Sequence, residues 1–315
     1  MNKLLAEILR LIDCLNSLHD GDRAVDLLVA CGEVAIAPLR KYLWEGKPSH
    51  IYQPRQRAVN ALAKLGAKEV LIEYLCTPKE IPDPVFQFGE EAVENTAARA
   101  LAGWQTDDVY EVLLWIAHTR TLPGLIDALG SFRRPEPISL FIAALMDDVS
   151  RPAAENALKS MGEIAKQALM EAAVKPDLSE NYESPSILLR RRSAARILAD
   201  LTVAVEEWPR FKELLNDDDP EISISAARIA LDIAGLEDKN AVIKTLIGKI
   251  PSANWYSQAE IENCLLKHYG VARREIGKQI AQREMQPEKA QASDPVLQML
   301  RGVRARVGSS DVSAD

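Results

Sequence analysis

The sequence predicts an all-α fold, built as one α-solenoid of about eight antiparallel helical pairs. Three observations support this prediction. A short phrase rich in Ala and Leu returns along the chain, its copies are spaced as in helical-pair repeats, and Pro or Gly residues separate the segments. The composition agrees, because only 5% of the 315 residues are aromatic while 47% are hydrophobic. Such a balance favours helices that pack at short distance.

The repeated phrase has the skeleton Ala-x-x-Ala-Leu-x-x-x-Gly and is clearest at residues 58–66, 154–162 and 227–235. Looser copies begin near residues 97, 125 and 194. Small residues let a neighbouring helix approach closely, Leu packs between the helices, and Gly takes the left-handed conformation that ends a helix. The intervals between copies lie near the ~30–45-residue period of helical-pair repeats.

Apolar residues at helical spacing place the first elements. The pattern predicts helices at 3–19, 22–31 and 34–44, and then a hairpin at 54–65 and 67–76. A loop is expected from Trp44 to Gln53. A longer inserted loop is expected from Thr77 to Gly89, because this stretch holds three prolines, Pro78, Pro82 and Pro84.

The remaining pairs follow with short connections, which place antiparallel helices side by side. They are predicted at 90–103 and 107–118, 122–131 and 136–147, 151–161 and 163–173, 186–201 and 205–215, 220–234 and 238–249, and 255–269 and 271–284. A second inserted loop is expected at Lys175–Pro185. The acidic run 217–219 is better explained by helix initiation than by metal binding. Asp219 is a helix N-cap, Pro220 takes the first helical position, and the run lacks the alternating ligands of a calcium loop.

The last residues have a different character from the repeat array, which is expected to span 1–284. Residues 285–294 are polar and indicate a linker. Val296, Leu300, Val303 and Val307 then recur at helical spacing beside three arginines, so a short basic amphipathic helix is predicted at 295–307. It either docks on the array in cis or binds a partner's groove in trans. Residues 308–315 are expected to be disordered.

The start signal and the phrase together resemble one known family. Asp219-Pro220-Glu221-Ile222 is followed by Ala226-Ala227-x-x-Ala230-Leu231-x-x-x-Gly235. The stretch 57–66 repeats this pattern, and Leu71-Ile72-x-x-Leu75 follows in the next helix. In these residues the chain resembles the HEAT repeat family, in its bacterial phycobilisome-lyase-type form, over about residues 20–284. The resemblance implies a right-handed α-solenoid, and it implies no single activity because such scaffolds host many roles.

No arrangement of residues indicates catalysis, a metal or a cofactor. The four cysteines show no Cys-x-x-Cys spacing and are expected to be free thiols in a reducing compartment. Hydroxylases of the resembled family hold iron with His-Glu pairs, and no such pair occurs in this sequence. Phycobilin lyases would need a pigment pocket, which no residue pattern indicates. DNA glycosylases of HEAT-like fold present tryptophans on a concave face, whereas Trp104 and Trp115 lie in apolar helical stretches that indicate core packing.

Two groups of residues are candidates for binding. Apolar residues in the first two expected loops either cover the repeat edge as a lid or contact a partner. They are Trp44, Ile51 and Tyr52 in the first loop and Ile81, Val85, Phe86 and Phe88 in the second, and both loops on one edge would form a single patch. The basic candidates are Arg190, Arg191 and Arg192, with Arg273, Arg274 and Lys278. They either bind phosphates or form solvated faces paired with nearby acids such as Glu183.

The expected function is therefore a non-catalytic scaffold or adaptor that binds another protein in the cytoplasm. A nucleic-acid-associated HEAT-like protein is the alternative, although a net charge of −8 argues against non-specific binding to phosphates. A phycobilin-lyase-like enzyme or chaperone is a further alternative. No apolar run of about 18 residues occurs, so no membrane segment is expected. The identity of the partner does not follow from the sequence.

Overall fold

The computed structural model describes residues 2–45, 51–174, 183–233 and 239–311. All regular structure in these ranges is helical, which confirms the predicted all-α class. The chain divides into two compact units, Met1–Ala165 and Lys166–Asp315. None of the described helices is both long enough and apolar enough to cross a bilayer.

In the first unit, alternate helices form a row in which each helix packs against the next. The helices are α1 (Asn2–Cys14), α2 (Gly21–Ala30), α3 (Ile36–Glu45), α4 (Gln53–Lys64), α5 (Lys68–Cys76), α6 (Pro84–Leu101), α7 (Asp107–Thr119), α8 (Pro123–Phe132), α9 (Ile138–Ala144) and α10 (Arg151–Met161). The row runs α2, α4, α6, α8, α10, and helices α3, α5, α7 and α9 each pack against the row helix that follows them. This is the packing expected for stacked helical pairs.

The small residues of the repeated phrase allow the row to pack closely. Ala58, Ala97 and Ala154 are completely buried. A Cβ atom added to Gly124 of α8 would lie only 2.4 Å from the carbonyl oxygen of Asn95 in α6. Gly66, the last residue of the first copy, has a φ of +75° after α4 ends, as the phrase predicts.

The second unit is organised around α13. After α11 (Glu163–Ala173), its helices are α12 (Pro185–Leu198), α13 (Pro220–Asp232), α14 (Lys239–Gly248), α15 (Trp255–Lys267), α16 (Tyr269–Glu284), α17 (Glu288–Ala292) and α18 (Pro295–Asp311). Helix α13 packs against α12, α14 and α15. The helix predicted at 205–215 is instead two short 3-10 segments, Trp208–Arg210 and Lys212–Asn216. Pro209 explains the difference, because it removes a backbone donor early in the segment.

The basic amphipathic helix of the tail docks in cis. Helix α18 packs against α15 and α16, and its apolar residues Leu297, Leu300 and Val303 are completely buried. Arg301 also lies 2.7 Å from Glu284. Docking extends the helix beyond the predicted end at 307, so residues 308–311 are helical rather than disordered. The expected linker contains the short helix α17, and residues 312–315 lie outside the described residues.

The prediction of an inserted loop at Thr77–Gly89 is wrong in its second half, because α6 begins at Pro84. The Asp83 side chain accepts hydrogen bonds from the backbone nitrogens of Val85 at 2.8 Å and Phe86 at 3.4 Å. Pro84 occupies the first helical position. Asp-Pro therefore starts α6 as it starts α13, where Asp219 caps the helix in the same way. Of the second expected loop, residues 175–182 lie outside the described residues and Pro185 begins α12.

Candidate interaction surface

Helix α6 projects beyond both of its neighbours in the row. It has 18 residues, against 12 in α4 and 10 in α8. In the first turn of α4, the side-chain amide of Gln56 donates to the carbonyl of Ala92 at 3.1 Å. At the start of α8, the backbone nitrogen of Gly124 donates to the side chain of Asn95 at 2.6 Å. Residue 56 of α4 is therefore level with residue 92 of α6, and the start of α8 is level with residue 95, so α6 begins before both neighbours. We call the preceding turns, residues 84–89, the α6 overhang.

The overhang carries large apolar side chains that face solvent. Val85 is 56% exposed, Phe86 37% and Phe88 62%. The Phe88 ring lies 6.2 Å from the ring of Tyr52 in an edge-to-face arrangement, and Ile51 beside it is 61% exposed. Val85, Phe86 and Phe88 lie together at the start of α6, and the ring contact joins them to half-buried Tyr52 and its exposed neighbour Ile51. Five of the seven apolar candidates thus form one mostly exposed cluster, which we call the overhang patch. Exposed apolar patches of this kind mark interaction surfaces.

The other two apolar candidates do not belong to this patch. Trp44 is half-buried and packs edge-on against Tyr74, with ring centroids 5.2 Å apart. The guanidinium of Arg40 lies 4.8 Å from the Trp44 ring and covers it on another side. Ile81 lines a cavity described below. Trp44 is therefore held by contacts with Tyr74 and Arg40, and Ile81 lies at the cavity, so neither residue forms part of the patch.

A buried charge cluster anchors α6 just after the overhang. Glu90 is 3% exposed and accepts hydrogen bonds from Arg55 at 2.5 Å and from the Tyr74 hydroxyl. Burial alone would raise the pKa of Glu90, but the Tyr74 hydroxyl, Lys79 and Arg55 together hold that pKa below its usual value. Glu90 is therefore a carboxylate that ties α6 to α4 and α5.

Glu94 extends this cluster one turn further along α6. It is 2% exposed, accepts from Lys79 at 2.7 Å and pairs with Arg120 at 2.6 Å. Since Lys79 also lies 3.1 Å from Glu90, two carboxylates share three cations. This cluster could not be predicted from the sequence, because its members come from four separate segments and only the fold brings them together.

A cavity of about 150 Å³ adjoins the cluster and the overhang. Its walls are formed by Lys79, Ile81, Gln87, Glu90, Glu91, Glu94 and Arg120. Gln87 lies between Phe86 and Phe88 in the chain, so the cavity borders the overhang patch. The Gln87 amide donates to the Glu91 carboxylate at 2.9 Å. Apart from Ile81, the cavity is therefore lined by polar and charged side chains.

For Arg191 and Arg192 on α12, the structure shows the second of the two predicted alternatives, which is pairing with nearby acids. Arg191 is only 1% exposed, donates to the Ala173 carbonyl at 3.0 Å and pairs with Glu183 and Asp217. Arg192 pairs with Asp219 at 2.5 Å. The acidic run at the start of α13 thus neutralises the basic run on α12, so these two arginines form no free basic surface.

The other basic candidates differ in their environment. Arg190 is partly exposed on α12, beside the paired Arg191. Arg273, Arg274 and Lys278 are exposed on α16 and have no ion-pair partner among the described residues. Of the six basic candidates, the exposed ones are therefore mainly the three on α16.

A polar cleft of about 240 Å³ lies in the second unit. Its lining includes Arg228, Asp232, Glu260, Cys264, Lys267 and His268. Burial raises the pKa of the Cys264 thiol to about 12, so this thiol is protonated at neutral pH and is a poor nucleophile. Burial also lowers the pKa of His268, whose Nε2 lies 3.1 Å from Asp232. Over the described ranges, no three His, Cys, Asp or Glu side chains are placed to hold a metal ion.

Comparison with known proteins adds no assignment. No protein-family model matches the chain, and no curated protein matches it. The HEAT-like resemblance therefore remains a prediction that rests on the repeated phrase. The overhang patch remains a candidate that rests on its geometry.

Proposed function

We propose that this protein is a non-catalytic scaffold of HEAT-like repeats, arranged as an α-solenoid, and that its overhang patch binds a partner protein. One observation carries the proposal. Three large apolar side chains are exposed on the part of α6 that projects past its neighbours, and exposed Ile51 and half-buried Tyr52 lie beside them just before α4. Aromatic side chains in such positions are the usual anchors of protein interfaces.

The rigidity of the overhang supports a binding role. Its first turn is capped by Asp83, and its far end is tied down through Glu90 and Glu94. A partner would therefore meet side chains whose backbone is already ordered, which lowers the entropy cost of binding. Solvent exposure of these aromatics costs about 25 cal/mol for each Å² of apolar surface, and a partner that covers them recovers this free energy.

The nucleic-acid alternative receives less support. A phosphate-binding surface on α12 would need Arg191 and Arg192, and acidic side chains already occupy both. The basic face of α16 is the remaining support for nucleic-acid binding.

The test is affinity purification of tagged protein from its native cells, with three forms compared by quantitative mass spectrometry. These are the wild type, Phe88→Ser and the matched control Trp115→Ser. Trp115, expected in the core, is in fact 59% exposed on α7 and so resembles Phe88 in exposure. We expect one stoichiometric partner with the wild type and the control, and at least a tenfold loss with Phe88→Ser, as for an interface anchor.

Two results would contradict the proposal. Equal recovery of the partner by Phe88→Ser and the wild type would show that the overhang patch is not the binding surface. Co-purified nucleic acid that disappears on nuclease treatment, without a protein partner, would favour the alternative on α16. The melting temperatures of both variants should stay close to the wild type, since substitutions at exposed sites change stability by only about 0.5 kcal/mol.

A further inference from the structure

We propose that the partner segment recognised by the overhang patch is basic, with apolar side chains followed closely by an arginine whose guanidinium enters the adjoining cavity. This inference rests on the proposed function and names the chemistry of the partner. The charges around the patch, the size of the cavity and the groups on its wall support it.

The charges around the patch are acidic and uncompensated. Glu80 and Asp83 are exposed, and Glu91 is partly exposed beside the cavity. None of these three carboxylates forms an ion pair with a basic side chain in the part of the chain that the structure describes. The nearby cations Arg55, Lys79 and Arg120 are already held by the two buried glutamates. A partner with positive charge next to its apolar residues is therefore complementary to this surface.

The cavity has the size of an arginine head group. Its volume is about 150 Å³. A cavity of about that volume in another protein accommodates a benzene molecule, and a planar guanidinium is no larger. The cavity is polar, so a charged group would enter it with hydrogen-bond acceptors available.

The acceptor for this guanidinium is Glu91. Its only side-chain hydrogen bond in the described structure is from the amide of Gln87, a neutral donor at 2.9 Å. An entering guanidinium would replace or join that neutral donor and would add the attraction between opposite charges, in a bidentate geometry that an amide cannot offer. Arginine is favoured over lysine because its planar fork can reach both carboxylate oxygens.

The first experiment selects binders from a displayed library of random 16-residue peptides on the full chain. Each selected clone is then tested against the wild type, Phe88→Ser and Trp115→Ser. We expect clones that bind the wild type and Trp115→Ser but not Phe88→Ser, and we expect arginine beside aliphatic residues to be enriched in them. Clones that need Phe88 but lack basic residues would overturn the inference while leaving the proposed function intact. If no clone depends on Phe88, both fail.

The second experiment measures the arginine contact itself. One selected peptide is synthesised with its arginine or with citrulline, which has the same shape without the charge. Its dissociation constant is measured on the wild type, on Glu91→Gln and on the control Glu111→Gln, an exposed glutamate of α7. Loss of one charge-assisted hydrogen bond should weaken binding about tenfold.

The two changes should not add, because they remove the same contact. Citrulline and Glu91→Gln should each weaken binding alone, and their combination should weaken it little further. Glu111→Gln should leave the dissociation constant unchanged. Equal affinities for arginine and citrulline, or full additivity of the two changes, would show that Glu91 does not receive the guanidinium.

Discussion

Replacement of Glu90 by glutamine should destabilise the first unit strongly. The substitution keeps the shape of the side chain and removes its charge. Arg55, whose side chain is 6% exposed, then loses its carboxylate partner, and Lys79 keeps only Glu94. A buried charge left without compensation is the costly outcome, since water cannot reach it.

The magnitude follows from the burial of the pair. Removal of one partner from a buried ion pair typically costs about 3–5 kcal/mol. The Tyr74 hydroxyl and Arg55 donate to different oxygens of Glu90, and glutamine keeps one oxygen that can still accept from either of them. We therefore expect at least the lower end, about 3 kcal/mol. With a typical urea m-value of about 2 kcal/mol per molar, the midpoint of unfolding should fall by about 1.5 M.

The assay is urea unfolding of the full chain, followed by tryptophan fluorescence and circular dichroism, with Glu91→Gln as the control. Glu91 is the next residue on α6, but it is partly exposed and has no ion pair in the described structure. Its substitution should move the midpoint by less than about 0.3 M, as expected for a surface change within about 0.5 kcal/mol. Equal midpoints for the two variants would refute the role of the charge cluster as the anchor of α6.

The same substitution should change the response to pH. Because the folded pKa of Glu90 lies below its ordinary value of 4.5, its stabilising contribution is fully present above that pH and is lost as the pH falls through the folded pKa. The difference in stability between the wild type and Glu90→Gln should therefore shrink below pH 4.5. A difference that stays constant down to pH 3 would contradict the assignment of Glu90 as a buried carboxylate.

Three further predictions concern packing and reactivity. Gly124→Ala should lower the free energy of unfolding by about 1–3 kcal/mol, because its Cβ meets the backbone of α6. Gly277→Ala, with open space around it in α16, should raise that free energy by up to about 1 kcal/mol, and thermal unfolding of both variants measures the two effects. Cys76, exposed at the end of α5, should react with a thiol reagent in the native protein, and buried Cys264 should react only after denaturant is added, as peptide mass mapping would show. Leu300→Ala should lower the free energy of unfolding by about 2–5 kcal/mol and release α18 from the helices it packs against. Hydrogen exchange of residues 295–307 should then become faster, and unchanged protection would contradict the docking in cis.

Much of the helical architecture could be predicted from local patterns. The phrase at 58–66 places its small residues in the row contact and its Gly at the left-handed turn, because both requirements are local. The start of α13 at Pro220 is confirmed for the same reason. The start of α6 at Pro84 carries the same Asp-Pro signal, but its two neighbouring prolines favoured a loop prediction that the structure corrects.

The candidate surface could be predicted only in part. The apolar residues of the patch could be identified from the sequence, because they are apolar residues in two stretches expected to be loops. The contact between the rings of Tyr52 and Phe88 could not be predicted, because it depends on the length of α6 relative to α4. For Arg191 the sequence offers pairing with Glu183 as one of two alternatives, and the structure shows that pair. Its second partner, Asp217, could not be predicted, because Asp217 lies in another segment. Trp115 was predicted to be buried from its apolar neighbours, but its position on α7 turns it outward. The burial and the partners of such side chains depend on contacts between distant segments, which local sequence patterns do not predict.

The most direct test of the central claim is photo-crosslinking in living cells. A benzophenone amino acid is placed at position 88 in one form of the protein and at position 115 in another, which matches the two sites in exposure. We expect one discrete protein adduct from position 88 after irradiation and no adduct of the same mass from position 115. No adduct at position 88, or the same set of adducts from both positions, would contradict the claim that the overhang patch binds a partner protein.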